Sequence, residues 1–289
     1  MKGLSIMKTS WVSFQCGRGF APRLIFGGML SVLIACGGAD ASDLSERMPT
    51  KAPIAEPRYD WTSWYAGLHA GYAWSPGAVD FVSLDEFLFQ VGQTIGILPT
   101  SLAPNMQGFT GGLQAGYNFQ SNRVLAGFEA DISYAGLNGS TTAALGAQHG
   151  WPALTTTQEQ HLDWFGTVRG RLGALATPEW LLYATGGFAF GGVRASTNIV
   201  VPGQDCVQNA FCSAGSISST RVGWTVGGGT EVAVGPRWTV KAEYLYFDLG
   251  SASYDVHPVF ALPGSDPFGL QATAKFTGQI VRLGMNYRF

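Results

Sequence analysis

Charged residues are scarce in this chain of 289 residues, since Asp, Glu, Lys and Arg make up only 12% of it. Soluble domains carry about twice that share. The formal net charge of −2 leaves no basic excess, and no basic stripe is interleaved with aromatics, so we expect no nucleic-acid partner. Scarce charge in a chain that is 46% hydrophobic favours an all-β soluble core or a barrel that spans a membrane.

Long apolar runs are also absent. Outside the amino-terminal leader, no segment approaches the ~20 apolar residues that a membrane-spanning helix needs. The four histidines are scattered along the chain, which argues against a metal or haem ligand set. No serine stands in a clear Ser–His–Asp setting, and no helix follows the glycine runs as in a phosphate-binding loop. We therefore expect no enzyme activity, no cofactor and no metal.

Cysteine is limited to four residues, two of which lie in the leader. The other two, Cys206 and Cys212, are separated by five residues in a loop-like segment. An oxidising compartment would let them form a disulfide, and a metal site would need further Cys or His nearby. We predict a loop disulfide between Cys206 and Cys212.

The amino terminus is organised like an export signal. Basic residues precede an apolar stretch from Leu24 to Ile34, and Ala39-Asp40-Ala41 matches an A-x-A cleavage site. Leu33-Ile34-Ala35-Cys36 also resembles a bacterial lipoprotein box, so lipidation of Cys36 stays open, as does a start at Met1 or Met7. The chain divides into three predicted parts: a signal peptide over residues 1–41, a Pro-rich flexible lead-in over residues 42–60, and a barrel over residues 61–289.

The last nine residues of the chain show the secondary structure most clearly. Apolar residues alternate there with small, polar or charged ones, and the apolar set is Val281, Leu283, Met285, Tyr287 and Phe289. Because successive side chains leave a strand on opposite faces, this pattern predicts a strand with one lipid-facing and one wet face. The same alternation predicts strands at about 64–74, 108–120, 123–134, 161–174, 180–192, 221–234, 238–248 and 271–289.

The predicted connections alternate in length. Tight turns near residues 121, 178 and 236 are separated by long segments at roughly 75–107, 135–160, 193–220 and 249–270. Short turns on one rim and long loops on the other are typical of outer-membrane barrels. We predict an all-β fold, an eight-stranded antiparallel up-and-down transmembrane β-barrel with short periplasmic turns and long extracellular loops. In its fourth strand Leu162, Trp164, Val168 and Leu172 should face outward.

Charged residues fall on the inward faces of these strands. Eight strands leave an interior only wide enough for side chains, and buried charges persist only when they are paired. We therefore predict a single ion-pair network in the lumen. Its members are Glu129, Arg169, Arg171, Glu231, Lys241, Glu243 and Arg282. Asp131 shares the inward face of Glu129.

Several long segments together resemble the small outer-membrane β-barrel proteins of Gram-negative bacteria, also called porin-family or outer-membrane immunogenic proteins, which are relatives of the OmpA-type transmembrane domain. The segments are Trp61–Tyr72, Gly111–Asp131, Asp163–Gly187, Gly223–Phe247 and the terminal VRLGMNYRF. The resemblance implies integration into the outer membrane, a periplasmic amino terminus and extracellular loops.

We expect a non-enzymatic protein that contributes to envelope integrity and surface interactions. Two alternatives stay open: a small low-conductance porin, and a protein whose loops bind a ligand such as haem or a host partner. Expected partners are outer-membrane lipid and lipopolysaccharide, and the barrel-assembly machinery, which would read the C-terminal strand as an assembly signal. A monomer is favoured. The role of the apolar stretch within 75–107 stays open.

Overall fold

The computed structural model describes residues 59–84, 94, 96, 98–147, 153–203, 212–259 and 269–289. The predicted signal peptide, Cys36 and Cys206 lie outside this part of the chain. Within it, we find no helix with the length and apolar character to cross a membrane.

The described chain consists almost entirely of antiparallel strands, eight of them long and two short. They are β1 (Ser63–Ser75), β2 (Ala78–Ser83), β3 (Ser101–Leu102), β4 (Met106–Ser121), β5 (Val124–Leu145), β6 (Leu154–Thr177), β7 (Trp180–Val200), β8 (Ser213–Ala233), β9 (Trp238–Pro258) and β10 (Leu270–Arg288).

The eight long strands close into a ring. Each pairs with its neighbours in chain order, and β1 pairs with both β4 and β10. The closing ladder runs from Tyr65 opposite Arg288 to Trp74 opposite Gln279. Closure matters because backbone groups in hydrocarbon need partners within the protein, and an open sheet would leave an edge without them. The predicted eight-stranded antiparallel barrel is confirmed.

The two ends of the barrel differ in their connections. At one end, which we call the turn end, two to four residues join β4 to β5, β6 to β7 and β8 to β9. The opposite end, the loop end, has longer connections. There β2 pairs with Leu270–Lys275 of β10 and with β3, so the wall of the barrel continues above β1.

The strands reach further toward the loop end than the sequence predicts. Much of 135–160, 193–220 and 249–270 is strand rather than loop, because β5 to β10 extend through these ranges. The outward residues of these extensions are mainly small or polar, as in β8 between Ser213 and Thr220. The alternation of outward apolar and inward polar residues therefore ends before the pairing of the strands ends.

Outward faces otherwise follow the predicted alternation, with one correction. Leu162 was expected to face outward, but it is buried at 2% exposure and packs in the interior core. The register shifts between Leu162 and Trp164 in the ladder with β7. Because Asp163 is the extra residue of this β-bulge, the strand reverses its faces there and Leu162 points inward.

Close packing between strands imposes glycine at some inward positions. A Cβ at Gly112, on the lumen side of β4, would lie 2.0 Å from the carbonyl oxygen of Ile132. At the outward Gly170 the nearest atom to such a Cβ, the carbonyl oxygen of Gly186, is 3.9 Å away. A side chain at Gly112 would therefore clash with the neighbouring backbone, whereas one at Gly170 would not.

We expect Gly112→Ala to lower the free energy of unfolding by about 1–3 kcal/mol, because the neighbouring backbone must move. Gly170→Ala, the matched control, should leave it unchanged or raise it by up to about 1 kcal/mol through lost backbone freedom in the unfolded chain. Guanidinium unfolding in lipid vesicles, followed by tryptophan fluorescence, measures both. Equal effects at the two positions would contradict this account.

Candidate functional site

The middle of the lumen is occupied by charged side chains. Because residues two apart share a face of a strand, the inward positions of five strands point these groups at one another. All are buried. The carboxylates are Glu129, Asp131, Glu231 and Glu243, and the cations are Arg169, Arg171, Lys241 and Arg282. Four negative and four positive groups leave this layer without net formal charge.

Glu129 lies at the centre of this layer. Lys241 Nζ donates to both of its carboxylate oxygens at 2.8 Å, and Arg169 Nη2 donates at 2.5 Å. The hydroxyl of Tyr65 adds a hydrogen bond of 2.8 Å, and Arg171 Nη1 lies 3.5 Å away. Because Arg282 Nη2 also lies 3.6 Å from this carboxylate, four cations from three strands converge on it.

Glu243 and Asp131 link the same cations to β10. Arg282 Nε donates to Glu243 at 2.7 Å, and Arg282 Nη2 donates to Asp131 at 3.0 Å. Arg169 Nη1 lies 3.1 Å from Glu243, and Arg169 Nη2 donates to Asp131 at 3.0 Å. The hydroxyl of Tyr183 donates to Glu243 at 2.9 Å. Each of the two arginines therefore joins both of these carboxylates, in addition to its contact with Glu129.

Glu231 extends the network toward the turn end. It accepts hydrogen bonds from Arg171 Nη2 at 2.6 Å, from Thr239 Oγ1 at 2.5 Å and from Asn286 Nδ2 at 2.9 Å. The guanidinium of Arg171 also lies over the ring of Tyr183, 4.1 Å from its centroid. Cation–π contact adds to the stabilisation of a buried guanidinium.

The structure brings all seven of the predicted network residues together. Sequence reasoning missed the participation of Asp131, Tyr65 and Tyr183. The signal for Asp131 is present, because it follows Glu129 by two residues and shares its face. The two tyrosines carry no comparable signal, since an inward tyrosine can pack without donating to a carboxylate.

His69 is the histidine nearest to this network. Its Nε2 lies 2.8 Å from Ser133 Oγ and 3.4 Å from Arg282 Nη1, while its Nδ1 has no hydrogen-bond partner among the described residues. A Ser–His–acid arrangement requires an acid on that nitrogen. In the described part of the chain we also find no cluster of three His, Cys, Asp or Glu side chains suited to a metal ion.

Aromatic residues close the turn end of the lumen. Trp61 is fully buried, its Nε1 donates to the carbonyl of Pro178 at 2.9 Å, and its backbone N–H donates to Gln120 Oε1 at 2.8 Å. The guanidinium of Arg288 lies 4.4 Å from the ring centroid of Tyr59. Burial raises the pKa of the Tyr59 hydroxyl. The residues just before β1 therefore fold across the opening and cover it.

An apolar core fills the loop end of the lumen. Phe165 and Phe247 pack with ring centroids 4.9 Å apart directly beyond the charged layer. The same core continues toward the loops through further buried residues, among them Val79, Met106, Leu137, Val193, Ile199, Val256, Ala272 and Phe276. Inside this core Gln158 Nε2 donates to the hydroxyl of Tyr254 at 2.9 Å. Burial raises the pKa of that hydroxyl.

The remaining predicted site residues lie at the wall and at the loop end. Of the C-terminal strand, Val281, Leu283, Met285 and Phe289 are exposed on the outward face. The ring of Tyr287 packs on Trp238 with centroids 5.0 Å apart. Cys212 is buried and disulfide-bonded. Because Cys206 lies outside the described residues, its pairing with Cys212 stays a prediction.

A closed antiparallel barrel with an apolar belt and a charged, packed lumen defines an integral β-barrel of a bacterial outer membrane. Residues 32–289 match the family model described as outer membrane protein beta-barrel domain. The chain belongs to this family.

Relatives agree with that assignment. The chain is 36% identical over 242 residues to the 31 kDa outer-membrane immunogenic protein of Brucella melitensis, covering 83% of this chain and 88% of that protein. It is 25% identical over 250 residues to the 25 kDa outer-membrane immunogenic protein of Brucella abortus, covering 86% and 89%. Among solved structures, the outer membrane protein OprG from Pseudomonas aeruginosa is 12% identical with a TM-score of 0.46, covering 80% of this chain and 98% of that chain.

Replacing Glu129 should test how strongly the charged layer stabilises the barrel. We expect Glu129→Leu to lower the free energy of unfolding by about 3–5 kcal/mol, because it leaves buried cations without their shared partner. Combining it with Lys241→Met should cost less than the sum of the two single changes, with a coupling of about 0.5–3 kcal/mol.

Arg194 provides the control, since its guanidinium pairs with Asp163 on the exposed outer wall. Arg194→Gln should leave the unfolding midpoint unchanged, because exposed ion pairs contribute little. Unfolding in lipid vesicles measures all four variants. Simple additivity of the Glu129 and Lys241 changes would show that the two groups do not act together.

Proposed function

We propose that this protein is a non-enzymatic structural barrel of the outer membrane that contributes to envelope integrity and surface contact, and that its lumen is closed to solutes. The observation that carries the proposal is the continuous filling of the lumen. Trp61 covers the turn end, the ion pairs around Glu129 fill the middle, and Phe165 and Phe247 begin the apolar core at the loop end.

The filled lumen favours this function over a small porin. A conducting path needs water along its whole length, and ion selectivity usually comes from rings of one charge sign. Here positive and negative groups are equal in number, and they are engaged in hydrogen bonds such as those that Glu129 accepts from Lys241 and Arg169. The apolar core adds a dry layer that an ion would have to cross.

Planar-bilayer recording of the purified protein should give no discrete channel steps. Trp61→Ala should also give none, because removing the cover at the turn end leaves the charged layer and the apolar core in place. A mock preparation from cells without the protein is the control. Reproducible steps from the wild-type protein that are absent from the mock preparation would favour the porin.

We further propose that the turn end faces the periplasm and the loop end faces outward. Tyr59, near the end of the predicted lead-in, and Phe289 both line a cavity of the turn end, which supports entry of the exported chain from the periplasm. The C-terminal strand then exposes the apolar face of Val281, Leu283 and Met285 to lipid, as expected of a strand that the assembly machinery reads. Lipopolysaccharide is the proposed lipid partner at the loop end.

Cysteine labelling on intact cells tests this orientation. Ser218→Cys places a thiol on the outward face of β8 at the loop end, and Gly235→Cys places one in a turn. A membrane-impermeant maleimide should label the first variant on intact cells and the second only after lysis. The wild-type chain controls for native cysteines. The reverse pattern would invert the proposed orientation.

A further inference from the structure

β5 extends further toward the loop end than β4, its neighbour on one side. The ladder between β4 and β5 ends at Asn138, whereas the ladder between β5 and β6 continues to Leu145. A Cβ at Gly139 would lie 2.8 Å from the backbone of Asn105, so β5 is still covered at that position. Beyond it, residues 140–145 pair with β6 and with no other strand of the described chain. We call the unpaired side of this stretch the free edge.

The chain that precedes β4 is joined to β2 rather than to β5. β3 pairs with Val79 and Asp80 of β2 and with no other strand. A Cβ at Gly77, in the connection between β1 and β2, would clash with the backbone of Pro104, so the chain between β3 and β4 leans toward that connection. No backbone hydrogen bond among the described residues joins the free edge to a turn or loop. In this part of the chain the wall is therefore open beside β5.

The direction of the backbone groups along the free edge follows from those below it. The carbonyl oxygens of Ile132 and Gly136 point to β4, where a Cβ at Gly112 or Gly108 would clash with them. Successive residues of a strand direct their backbone groups to opposite sides, and the register with β4 is constant up to Asn138. The even-numbered residues therefore turn their N–H and C=O groups away from β6. At the free edge these are Ser140, Thr142 and Ala144.

The free edge lacks the features that usually protect the edge of a sheet. Residues 140–145 (STTAAL) include no charged residue and no proline. An uncharged edge with unpaired backbone groups is a template for a further strand. The inward residues of the free edge are also half-exposed. The residues that pair with them on β6 are buried: Leu154, Thr156 and Gln158.

Apolar groups border the opening on its inner side. Leu98 and Leu102, from the chain before β4, are only partly buried and pack against the loop-end core. Leu145 is the inward residue at the end of β5 and is also half-exposed. A strand placed here would therefore bury apolar side chains on its inward face and keep uncharged polar side chains on its outward face.

We propose that the free edge binds an extended peptide segment of another protein, which adds to β5 as an antiparallel strand. This inference deepens the proposed surface contact and rests on it for the side from which the segment arrives. Because opposed residues of two paired strands share a face, the outward residues of the segment exchange backbone hydrogen bonds with Ser140, Thr142 and Ala144. Its inward residues are apolar and contact Leu98, Leu102 and Leu145.

A second copy of this chain fits the free edge poorly. Copies in one membrane are related by an axis along the membrane normal, so their β5 strands rise in the same sense and tilt in opposite directions. The two edges would cross instead of aligning. A peptide segment outside the barrel wall has no such constraint and can take the antiparallel direction.

The first test uses the purified protein in dodecyl maltoside micelles and the fluorescein-labelled peptide Lys-Thr-Leu-Thr-Leu-Thr-Lys, with binding followed by fluorescence anisotropy. We expect saturable one-to-one binding. N-methylation of the threonine nitrogens should raise the half-saturating concentration about tenfold or more, because these residues form the ladder with β5. N-methylation of the leucine nitrogens, on the opposite edge of the peptide, is the matched control and should change binding by less than about threefold.

Two variants of one residue test the same edge from the side of the protein. Thr142→Pro removes an N–H group from the free edge but none from the ladder with β6, so it should weaken binding about tenfold or more. Thr142→Val keeps the backbone group and should bind like the wild type. Heat-modifiable gel migration checks that both variants fold. If Thr142→Pro does not fold, the two methylated peptides decide the question on the wild-type protein.

Three outcomes would overturn the proposal. They are the lack of saturable binding to the wild type, equal binding of the two methylated peptides, and, in sedimentation without the probe, a wild-type dimer that Thr142→Pro converts to a monomer. The last would assign the free edge to a second copy. None of these results alters the channel recordings or the cysteine labelling, so the peptide site and the proposed function can fail separately.

Discussion

Compensation of charge inside a narrow cylinder is the constraint on which this barrel depends. The lumen is too narrow for bulk water, so each buried ion must find its counter-charge on another strand. Glu129 meets this need from β5 by accepting hydrogen bonds from Arg169 on β6 and Lys241 on β9. The first contact joins adjacent strands, and the second crosses the lumen. They therefore fix which strands face one another across the barrel as well as which lie side by side.

The layers above and below the charges have a related role. Phe165 and Phe247 on one side and Trp61 on the other separate the ion pairs from the two ends of the barrel. Ion pairs that are shielded from water are screened little by salt, so the network keeps its strength. A lumen that is filled in this way is what the proposed structural function requires.

Much of this architecture could be predicted from the sequence. Strands with lipid on their outer side and charges on their inner side alternate apolar and polar residues with a period of two. That period placed the inward charges, including Glu243 and Arg282, and the apolar face of the last strand. It could not reveal the bulge at Asp163, since one extra residue changes the faces without changing the composition, and Leu162 was assigned outward as a result. The same pattern predicted strands that end too early at the loop end, because the outward serine and threonine residues there give no apolar signal. Trp61 was assigned to the barrel, but its place across the opening depends on contacts with Gln120 and Pro178, which are distant in sequence.

The extension of the strands beyond the outward apolar residues has a geometric consequence. From Tyr134, an exposed aromatic residue on the outward face, to Leu145, β5 rises by eleven residues, or roughly 25–35 Å after allowing for tilt. The wall at this end is therefore a collar of paired strands rather than a set of separate loops. The end of β5 at Leu145 therefore stands well clear of the outward apolar residues, so a macromolecule can reach it without approaching the hydrocarbon surface, while a small amphiphile dissolved in the membrane meets only the base of the collar.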